Sequence, residues 1–209
     1  ESSMNKVLHY IHDPFCGWCY GAAPLVRAAR AVLPVQAHGG GMMAGNGRQP
    51  VTPQLRAYVM PHDRRIAQLT GQPFGRDYFD GLLRDEGAVF DSGPPITAML
   101  AAERLAGPEA ALDLLARIQS AHFLAGRRVA AVQVLAELAV EAGLDQVAFA
   151  QAFSDCAGET TEGHIRASRA LLQQVGGAGF PTFALEESGR YRMLDASPWL
   201  GRPEEWQAW

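Results

Sequence analysis

Cysteine is scarce in this sequence, with three residues among 209, at positions 16, 19 and 156. So few cysteines exclude the disulfide-rich scaffold that small secreted domains use in place of a large hydrophobic core. Apolar runs are short as well, and none approaches the roughly 18 continuous residues that a membrane-spanning helix requires. The sequence therefore predicts a protein without a disulfide framework and without a membrane span.

Basic residues are also few: Lys and Arg total 18 against 22 Asp and Glu, which gives a formal net charge of −4. They form no run longer than a pair, as at Arg64-Arg65 and Arg127-Arg128. A surface that follows nucleic-acid phosphates needs clustered positive charge, so no nucleic-acid partner is expected. With 48% hydrophobic and 19% charged residues, the composition is that of a globular protein with a sizeable core.

The sequence begins with Glu1-Ser2-Ser3 ahead of Met4, which we interpret as a remnant of an expression vector, with Met4 as the natural start. The first predicted strand follows so soon that no secretory signal fits before it. We therefore expect a cytoplasmic protein. In that compartment a closely spaced cysteine pair is more often catalytic than structural.

Two of the cysteines stand at a predicted turn from a strand to a helix. The apolar run Val7–Ile11 predicts a buried strand that ends before Pro14, and Ala22–Ala31 has helical composition. Cys16 and Cys19 form a C-x-x-C pair between them. Because the free N–H groups at a helix start favour an anion, the thiolate of Cys16 should be stabilised. We therefore expect Cys16 to attack a disulfide and Cys19 to resolve the mixed disulfide.

Half of a zinc site is the alternative interpretation of a C-x-x-C pair. Structural zinc takes about four ligands, and the only other cysteine is Cys156, while the six histidines form no second ligand pair. A purely structural disulfide is also disfavoured, because so short a loop hardly restricts the unfolded chain. We therefore predict redox chemistry and no metal.

The rest of the chain alternates strands and helices at both ends and is rich in alanine and leucine in the middle. This pattern predicts an α/β domain formed by residues 4–50 and 157–209, and an all-helical insertion domain formed by residues 51–156. The predicted outer elements are a strand at Val35–His38, a glycine-rich loop at Gly39–Gly47, a helix at Thr160–Val175, a hairpin of strands at Phe180–Leu185 and Tyr191–Leu194, and a short helix from Pro203. The glycines should let the backbone pass close to the cysteine pair or to a bound peptide.

Two motifs carry a family resemblance: Asp13-Pro14-Phe15-Cys16-Gly17-Trp18-Cys19-Tyr20-Gly21 and, near the other end, Gly179-Phe180-Pro181-Thr182-Phe183. Together they resemble the DsbA-like branch of the thioredoxin superfamily, and in particular its cytoplasmic, FrnE-like protein-disulfide isomerases without signal peptides. The resemblance covers nearly the whole chain. It implies a thioredoxin-like fold interrupted by an all-helical insertion domain.

The resemblance also implies roles for residues outside the cysteine pair. Pro181 matches the proline whose preceding peptide bond is cis and which lies opposite the cysteines. The backbone of Phe180 should then bind an extended substrate, with Thr182 as the small polar residue that follows. Gly17 and Trp18 are expected to contact substrate from between the cysteines, although Trp18 could instead pack against the insertion. The bulky Phe180 should narrow the groove or select apolar partners.

The implied activity is that of a thiol–disulfide oxidoreductase, an isomerase or reductase acting on proteins or small molecules that contain disulfides. It needs no bound cofactor, and glutathione or a thioredoxin-type protein would recycle it. The sequence leaves a monomer or a homodimer open. Two alternatives remain: a glutathione-dependent transferase or isomerase of the kappa type, which typically has serine in place of the first cysteine, and a redox-inactive peptide-binding chaperone.

Four further residues invite weaker hypotheses. His12 and Asp13 could move a proton for Cys19, but local hydrogen bonding is the more ordinary role for polar residues at the end of a strand. The same holds for His38. Cys156 is expected to be a small buried packing residue.

Overall fold

The computed structural model describes residues 5–209, so the predicted start at Met4 lies outside the described residues. Within this range an α/β fold surrounds a run of helices. The elements are, in chain order, β1 (Lys6–His12), α1 (Gly17–Gly21), α2 (Ala23–Arg30), β2 (Val35–Gly39), β3 (Gln49–Pro50), α3 (Pro53–Thr70), β4 (Val89–Phe90), α4 (Gly93–Ala106), α5 (Pro108–Phe123), α6 (Val132–Glu141), α7 (Gln146–Cys156), α8 (Glu159–Gln174), β5 (Thr182–Glu187), β6 (Arg190–Leu194) and α9 (Pro203–Ala208).

The main sheet has four strands in the order β2-β1-β5-β6. Strand β1 pairs in parallel with β2 and antiparallel with β5, and β5 and β6 form the predicted hairpin. Residues 8–12 of β1 are all buried, because helices cover both faces of the sheet at its centre. On one face of the sheet, α9 is joined to α2, because Trp206 donates a hydrogen bond to the Leu25 carbonyl at 3.0 Å. The predicted α/β class, a thioredoxin-like fold interrupted by a helical insertion, is confirmed.

The first helical region differs from its prediction. A short helix, α1, begins directly after Cys16, and a break at Ala22 separates it from α2. Pro24 stands in the first turn of α2 and has no N–H to continue the ladder of hydrogen bonds, which accounts for the break. The cysteine pair therefore lies on a separate turn of helix rather than on the end of a long one.

The insertion is helical, as predicted, with one addition. Strands β3 and β4, two residues each, pair antiparallel near its start and before α4. Thr52 caps the start of helix α3, since its hydroxyl accepts a hydrogen bond from the Leu55 N–H at 3.1 Å. Cys156 is buried at the end of α7, in the packing role expected for it. The domain boundaries at residues 50/51 and 156/157 remain predictions.

An aromatic cluster joins the cysteine region to the insertion. The ring of Phe15 stacks on Phe90, with centroids 5.1 Å apart, and meets the edge of His122 at 5.0 Å. His122 also contacts Phe123 at 4.5 Å.

In the described part of the chain, no helix has both the length and the hydrophobicity needed to cross a membrane.

Candidate active site

Cys16 caps α1 and lies at the outer side of the cysteine pair. Its backbone is extended, with φ −76° and ψ 117°, and its Sγ accepts a hydrogen bond from the N–H of Cys19 at 3.2 Å. Both residues are free thiols. Cys16 is 7% exposed and Cys19 is fully buried. This is the arrangement expected if Cys16 meets the substrate and Cys19 acts from behind it.

The loop before β5 lies opposite Cys16. The peptide bond between Phe180 and Pro181 is cis, which confirms that prediction. The thiol of Cys16 donates a hydrogen bond to the carbonyl oxygen of Phe180 at 3.5 Å. Thr182 is buried, and its hydroxyl donates to the Gly179 carbonyl at 2.6 Å, so this side chain braces the loop from within.

The glycine-rich loop supports the loop at Phe180 from behind. The phenyl ring of Phe180 lies against Gly40, where any Cβ atom would overlap it. The Gly40 N–H donates to the carbonyl of His12 at 2.8 Å, and the guanidinium of Arg169 donates to the carbonyls of Gly40 and Gly41 at 2.6 and 2.8 Å. The predicted close approach of this loop to the redox site is therefore present, and the ring of Phe180 is engaged in it.

A groove of about 550 Å³ runs beside the loop at Phe180. Trp18 stands on one wall together with Leu69 of α3, so it faces the groove and also lies against the insertion. The packing of Trp18 is therefore observed, and its contact with substrate stays a prediction. The remaining lining residues come from the hairpin and the segment after it: Pro181, Thr182, Phe183, Met193, Leu194, Asp195, Ala196, Ser197 and Leu200.

Gly17, between the cysteines, faces the insertion at close range. A Cβ atom on it would lie 2.8 Å from Oδ1 of Asp63 and 2.9 Å from Cδ1 of Ile66. Sequence reasoning missed Asp63, although a signal exists. Met60, Asp63 and Ile66 are spaced three residues apart along α3 and form its buried stripe, where an acidic residue is out of place.

Asp13 is buried and fully engaged in hydrogen bonds. Its Oδ1 accepts from the Phe15 N–H at 2.9 Å and from the Ser92 hydroxyl at 3.0 Å, and its Oδ2 accepts from the Met42 N–H at 2.8 Å. Burial raises the pKa of Asp13 to about 6, against the effect of these donors. The carboxyl thus ties the cysteine turn to the glycine-rich loop and to the start of α4, the local role expected of it.

His12 does not have the local hydrogen bonds that we expected, and that prediction is wrong. Neither ring nitrogen has a hydrogen-bond partner among residues 5–209, because the ring lies inside the fold, stacked on Tyr10 at 5.1 Å. Burial, with smaller effects from His164 and His38, lowers the pKa of His12 to about 3. The residue is therefore neutral at physiological pH.

His38, by contrast, is hydrogen-bonded as expected. Its Nε2 lies 2.8 Å from Nδ1 of His9, and Nε2 of His9 lies 2.7 Å from a carboxylate oxygen of Glu186. Burial, and then the neighbouring His9 and His164, lower the pKa of His38 to about 4.

Within the described residues, no three His, Cys, Asp or Glu side chains are arranged to hold a metal ion.

Comparison with solved structures gives strong matches over the whole chain. The cytosolic disulfide reductase DsbM from Pseudomonas aeruginosa is 58% identical, with a TM-score of 0.89, and the match covers 97% of this chain and 95% of that one. A structure of DsbM with GSH matches at 55% identity and a TM-score of 0.86, over 97% and 96% of the two chains. A proposed protein disulfide isomerase from Nitrosomonas europaea matches at 29% identity and a TM-score of 0.78, over 97% and 94%. No family model and no curated protein matches the sequence.

Proposed function

This chain belongs to the DsbA-like family of the thioredoxin superfamily and is a thiol–disulfide oxidoreductase, and we propose that Cys16 and Cys19 react with disulfides held against the loop at Phe180 and Pro181. One observation carries this proposal. The Sγ of Cys16, the more exposed cysteine of the pair, lies within hydrogen-bond distance of both the Cys19 N–H and the Phe180 carbonyl.

The first step is attack by the Cys16 thiolate on one sulfur of the substrate disulfide. A bond forms between that sulfur and Cys16, and the other substrate sulfur leaves as a thiolate that takes up a proton. During this step Cys19 stays a thiol, because burial raises its pKa well above the usual range and the neighbouring Cys16 raises it further. The pair therefore reacts in a fixed order.

The second step follows from the first through electrostatics. Once Cys16 is part of a mixed disulfide it carries no charge, so its contribution to the raised pKa of Cys19 is lost. Burial still keeps the pKa of Cys19 raised, so Cys19 gives up its proton as its sulfur attacks the Sγ of Cys16. A Cys16–Cys19 disulfide forms and the substrate's second thiolate leaves, so the substrate gains two electrons and the protein loses two.

The groove suits the part of the substrate that leads away from its disulfide. Trp18, Leu69 and Met193 give it apolar walls, and Phe180, Pro181 and Thr182 line it on the side of the cis peptide bond. An extended segment could pair with the backbone of Phe180, in the loop before β5, through main-chain hydrogen bonds like those between strands. We propose Gly17, Trp18, Phe180, Pro181 and Thr182 as the substrate-binding residues.

Glutathione is the reductant that we propose for recycling. A relative with more than half of its residues identical has been solved with GSH, and that relative is described as cytosolic. Two glutathione molecules would reduce the Cys16–Cys19 disulfide in turn and leave as one glutathione disulfide. A glutathione-rich cytoplasm would then keep the pair reduced, which fits a reductase in that compartment.

The test compares the wild-type protein with Cys16→Ser, Cys19→Ser and Cys156→Ser. Turnover of bis(2-hydroxyethyl) disulfide and of insulin is measured with glutathione as reductant. We expect Cys16→Ser to abolish turnover of both substrates and Cys156→Ser to leave both unchanged. Turnover retained in Cys16→Ser would reject the proposed chemistry. If Cys16→Ser instead suppresses the aggregation of an unfolded protein as well as the wild type does, the chaperone alternative is favoured.

Cys19→Ser separates the dithiol mechanism from glutathione chemistry at Cys16 alone. Under the dithiol mechanism this variant stops at a mixed disulfide, which mass spectrometry detects as a stable adduct on Cys16. Full turnover in Cys19→Ser would instead show that an external glutathione resolves the adduct. That result would move the assignment toward a monothiol, glutathione-dependent enzyme.

A further inference from the structure

A second cleft, separate from the groove at the redox site, lies between α2 and the helices α5 and α6 of the insertion. Its volume is about 680 Å³, within the range of small-molecule binding sites. It shares no lining residue with the groove beside Phe180. The charged residues that line the cleft are Arg27, Arg30, Asp113, Arg117, Arg127 and Glu141. Its walls therefore carry four arginines against two acidic residues, in a protein with a formal net charge of −4.

Two of these arginines are already paired within the protein, Arg30 with Glu109 and Asp113, and Arg127 with Glu137. The side chains of Arg27 and Arg117 have no hydrogen bond or ion pair among residues 5–209, and the same holds for Glu141. The unpaired charges of the cleft are thus two guanidinium groups against one carboxylate. This balance favours an anion as the ligand.

The helix dipole explains only one of the two unpaired arginines. Arg27 lies in the last turn of α2, where the negative end of the helix favours a basic side chain. Arg117 lies in the interior of α5, and the last turn of that helix holds no arginine. Stabilisation of a helix end therefore does not account for Arg117.

A small cavity beside the cleft contains a further hydrogen-bond donor. This cavity, of about 50 Å³, adjoins the cleft because Arg27, Arg30 and Ala116 line both. Gln119 of α5 also lines the cavity and is only 2% exposed, and its Nε2 has no hydrogen-bond partner among residues 5–209. A buried N–H without an acceptor is costly. An oxygen that enters the cavity would remove that cost.

We propose that this cleft is a second binding site, which takes a small organic anion with carboxylate or phosphate groups. Arg27 and Arg117 bind the anionic groups from two different helices, since the guanidinium fork matches the geometry of carboxylate and phosphate oxygens. The N–H of Gln119 donates to an oxygen that enters the adjoining cavity. A bound anion would join α2, which follows the cysteine turn, to the insertion. The site does not depend on the chemistry at Cys16.

The chain offers variants with opposite expected effects on affinity. Arg27→Gln and Arg117→Gln each remove one guanidinium, so the dissociation constant should rise about tenfold in each. Gln119→Leu removes the buried donor at similar size and should also raise it. Glu141→Gln removes a repelling charge, so the dissociation constant should fall. Arg166→Gln, at an exposed and unpaired arginine on α8 outside the cleft, is the matched control and should bind as the wild type does.

The probes are succinate and pyrophosphate, added to the reduced full chain at an ionic strength held constant with chloride. Titration calorimetry gives the dissociation constant, and the melting temperature should rise with the probe concentration because the probe binds the folded chain. We expect saturable binding of at least one probe, with a dissociation constant of about 1 mM or lower. Tighter binding of succinate would assign the site to a carboxylate ligand, and tighter binding of pyrophosphate to a phosphate ligand.

The proposal is overturned if neither probe binds the wild type, or if both bind the double variant Arg27→Gln/Arg117→Gln equally well. Unchanged affinity in Gln119→Leu would contradict the role of the cavity. Cys16→Ser should bind the probes as the wild type does, and lost binding in that variant would place the anion in the redox groove instead. Failure of the proposed function is a different result, since it would appear as disulfide turnover that survives Cys16→Ser.

Discussion

The phenyl ring of Phe180 lies directly on the Cα atom of Gly40, and no side chain fits between them. Two loops more than a hundred residues apart therefore meet at a place where only glycine is tolerated. One of these loops carries the carbonyl that bonds to the Cys16 thiol. The position of that carbonyl thus depends on the glycine-rich loop as well as on the strand that follows Pro181.

Gly40→Ala should therefore impair the redox site without touching either cysteine. The new Cβ must push the Phe180 ring away, and displacing a substrate-binding group by about 1 Å costs on the order of a hundredfold in rate. Overpacking should also lower the free energy of unfolding by about 1–3 kcal/mol. Turnover of a small disulfide and urea denaturation check the two expectations.

The control for this variant is Gly163→Ala on α8, where an added Cβ has no neighbour closer than 3.7 Å. A second variant, Gly40→Ala with Phe180→Val, should recover much of the lost stability because the smaller side chain vacates the space. Wild-type turnover in Gly40→Ala would contradict the proposed dependence of the site on this contact.

Arg169 holds the same glycine-rich loop from α8 through two hydrogen bonds to the carbonyls of Gly40 and Gly41. Arg169→Met keeps most of the aliphatic stem and removes both donors. We expect a loss of about 1 kcal/mol in the free energy of unfolding, because the arginine is exposed and water replaces part of the interaction. Amide exchange at Gly40 and Met42 should also become faster.

Arg166→Met is the matched control, since Arg166 is an exposed arginine on the same helix and has no hydrogen bond or ion pair among the residues that the structure describes. It should change neither stability nor amide exchange in the loop. Equal exchange rates in the two variants would show that Arg169 does not hold the loop.

Local pattern predicted the first strand and the cysteine turn, because each is determined by residues close together in sequence, whereas the cis bond before Pro181 was expected from the family resemblance. The contacts of Phe180 with Gly40 and of Gly17 with Asp63 were out of reach for a physical reason. Each joins segments whose distance depends on how the insertion and the sheet pack. The unpaired ring of His12 was missed for a similar reason, since its surroundings come from α4 and α8 as well as from its own strand.

Gly17→Ala should destabilise the protein even though alanine is the better helix former. Its Cβ would lie 2.8 Å from Oδ1 of Asp63 and 2.9 Å from Cδ1 of Ile66, so both side chains must move within a buried contact between α1 and α3. We expect a loss of about 1–3 kcal/mol by denaturant unfolding. Ile66→Val removes one of the two clashing atoms, so a double-mutant cycle should show favourable coupling between the two changes. Strictly additive effects would mean that the contact is loose.

In His122→Phe, the free energy of unfolding should fall less than in the wild type as the pH is lowered. The imidazole is 1% exposed among aromatic rings, its Nδ1 has no partner among residues 5–209, and burial lowers its pKa to about 3. In the unfolded chain a histidine takes up a proton near pH 6.5, so between about 6.5 and 3 the unfolded state binds more protons. Native stability therefore falls as the pH falls through this window.

The expected difference can be measured by urea denaturation at pH 7 and pH 5. Wild-type protein should lose about 2 kcal/mol more than His122→Phe between these two values, from about 1.4 kcal/mol for each pH unit below 6.5. Asp13 and Asp63 act in the opposite sense, because their raised pKa values favour the folded state as the pH falls, so the comparison between variants isolates the histidine. Equal slopes in His122→Phe and the wild type would mean that His122 is protonated in the folded protein.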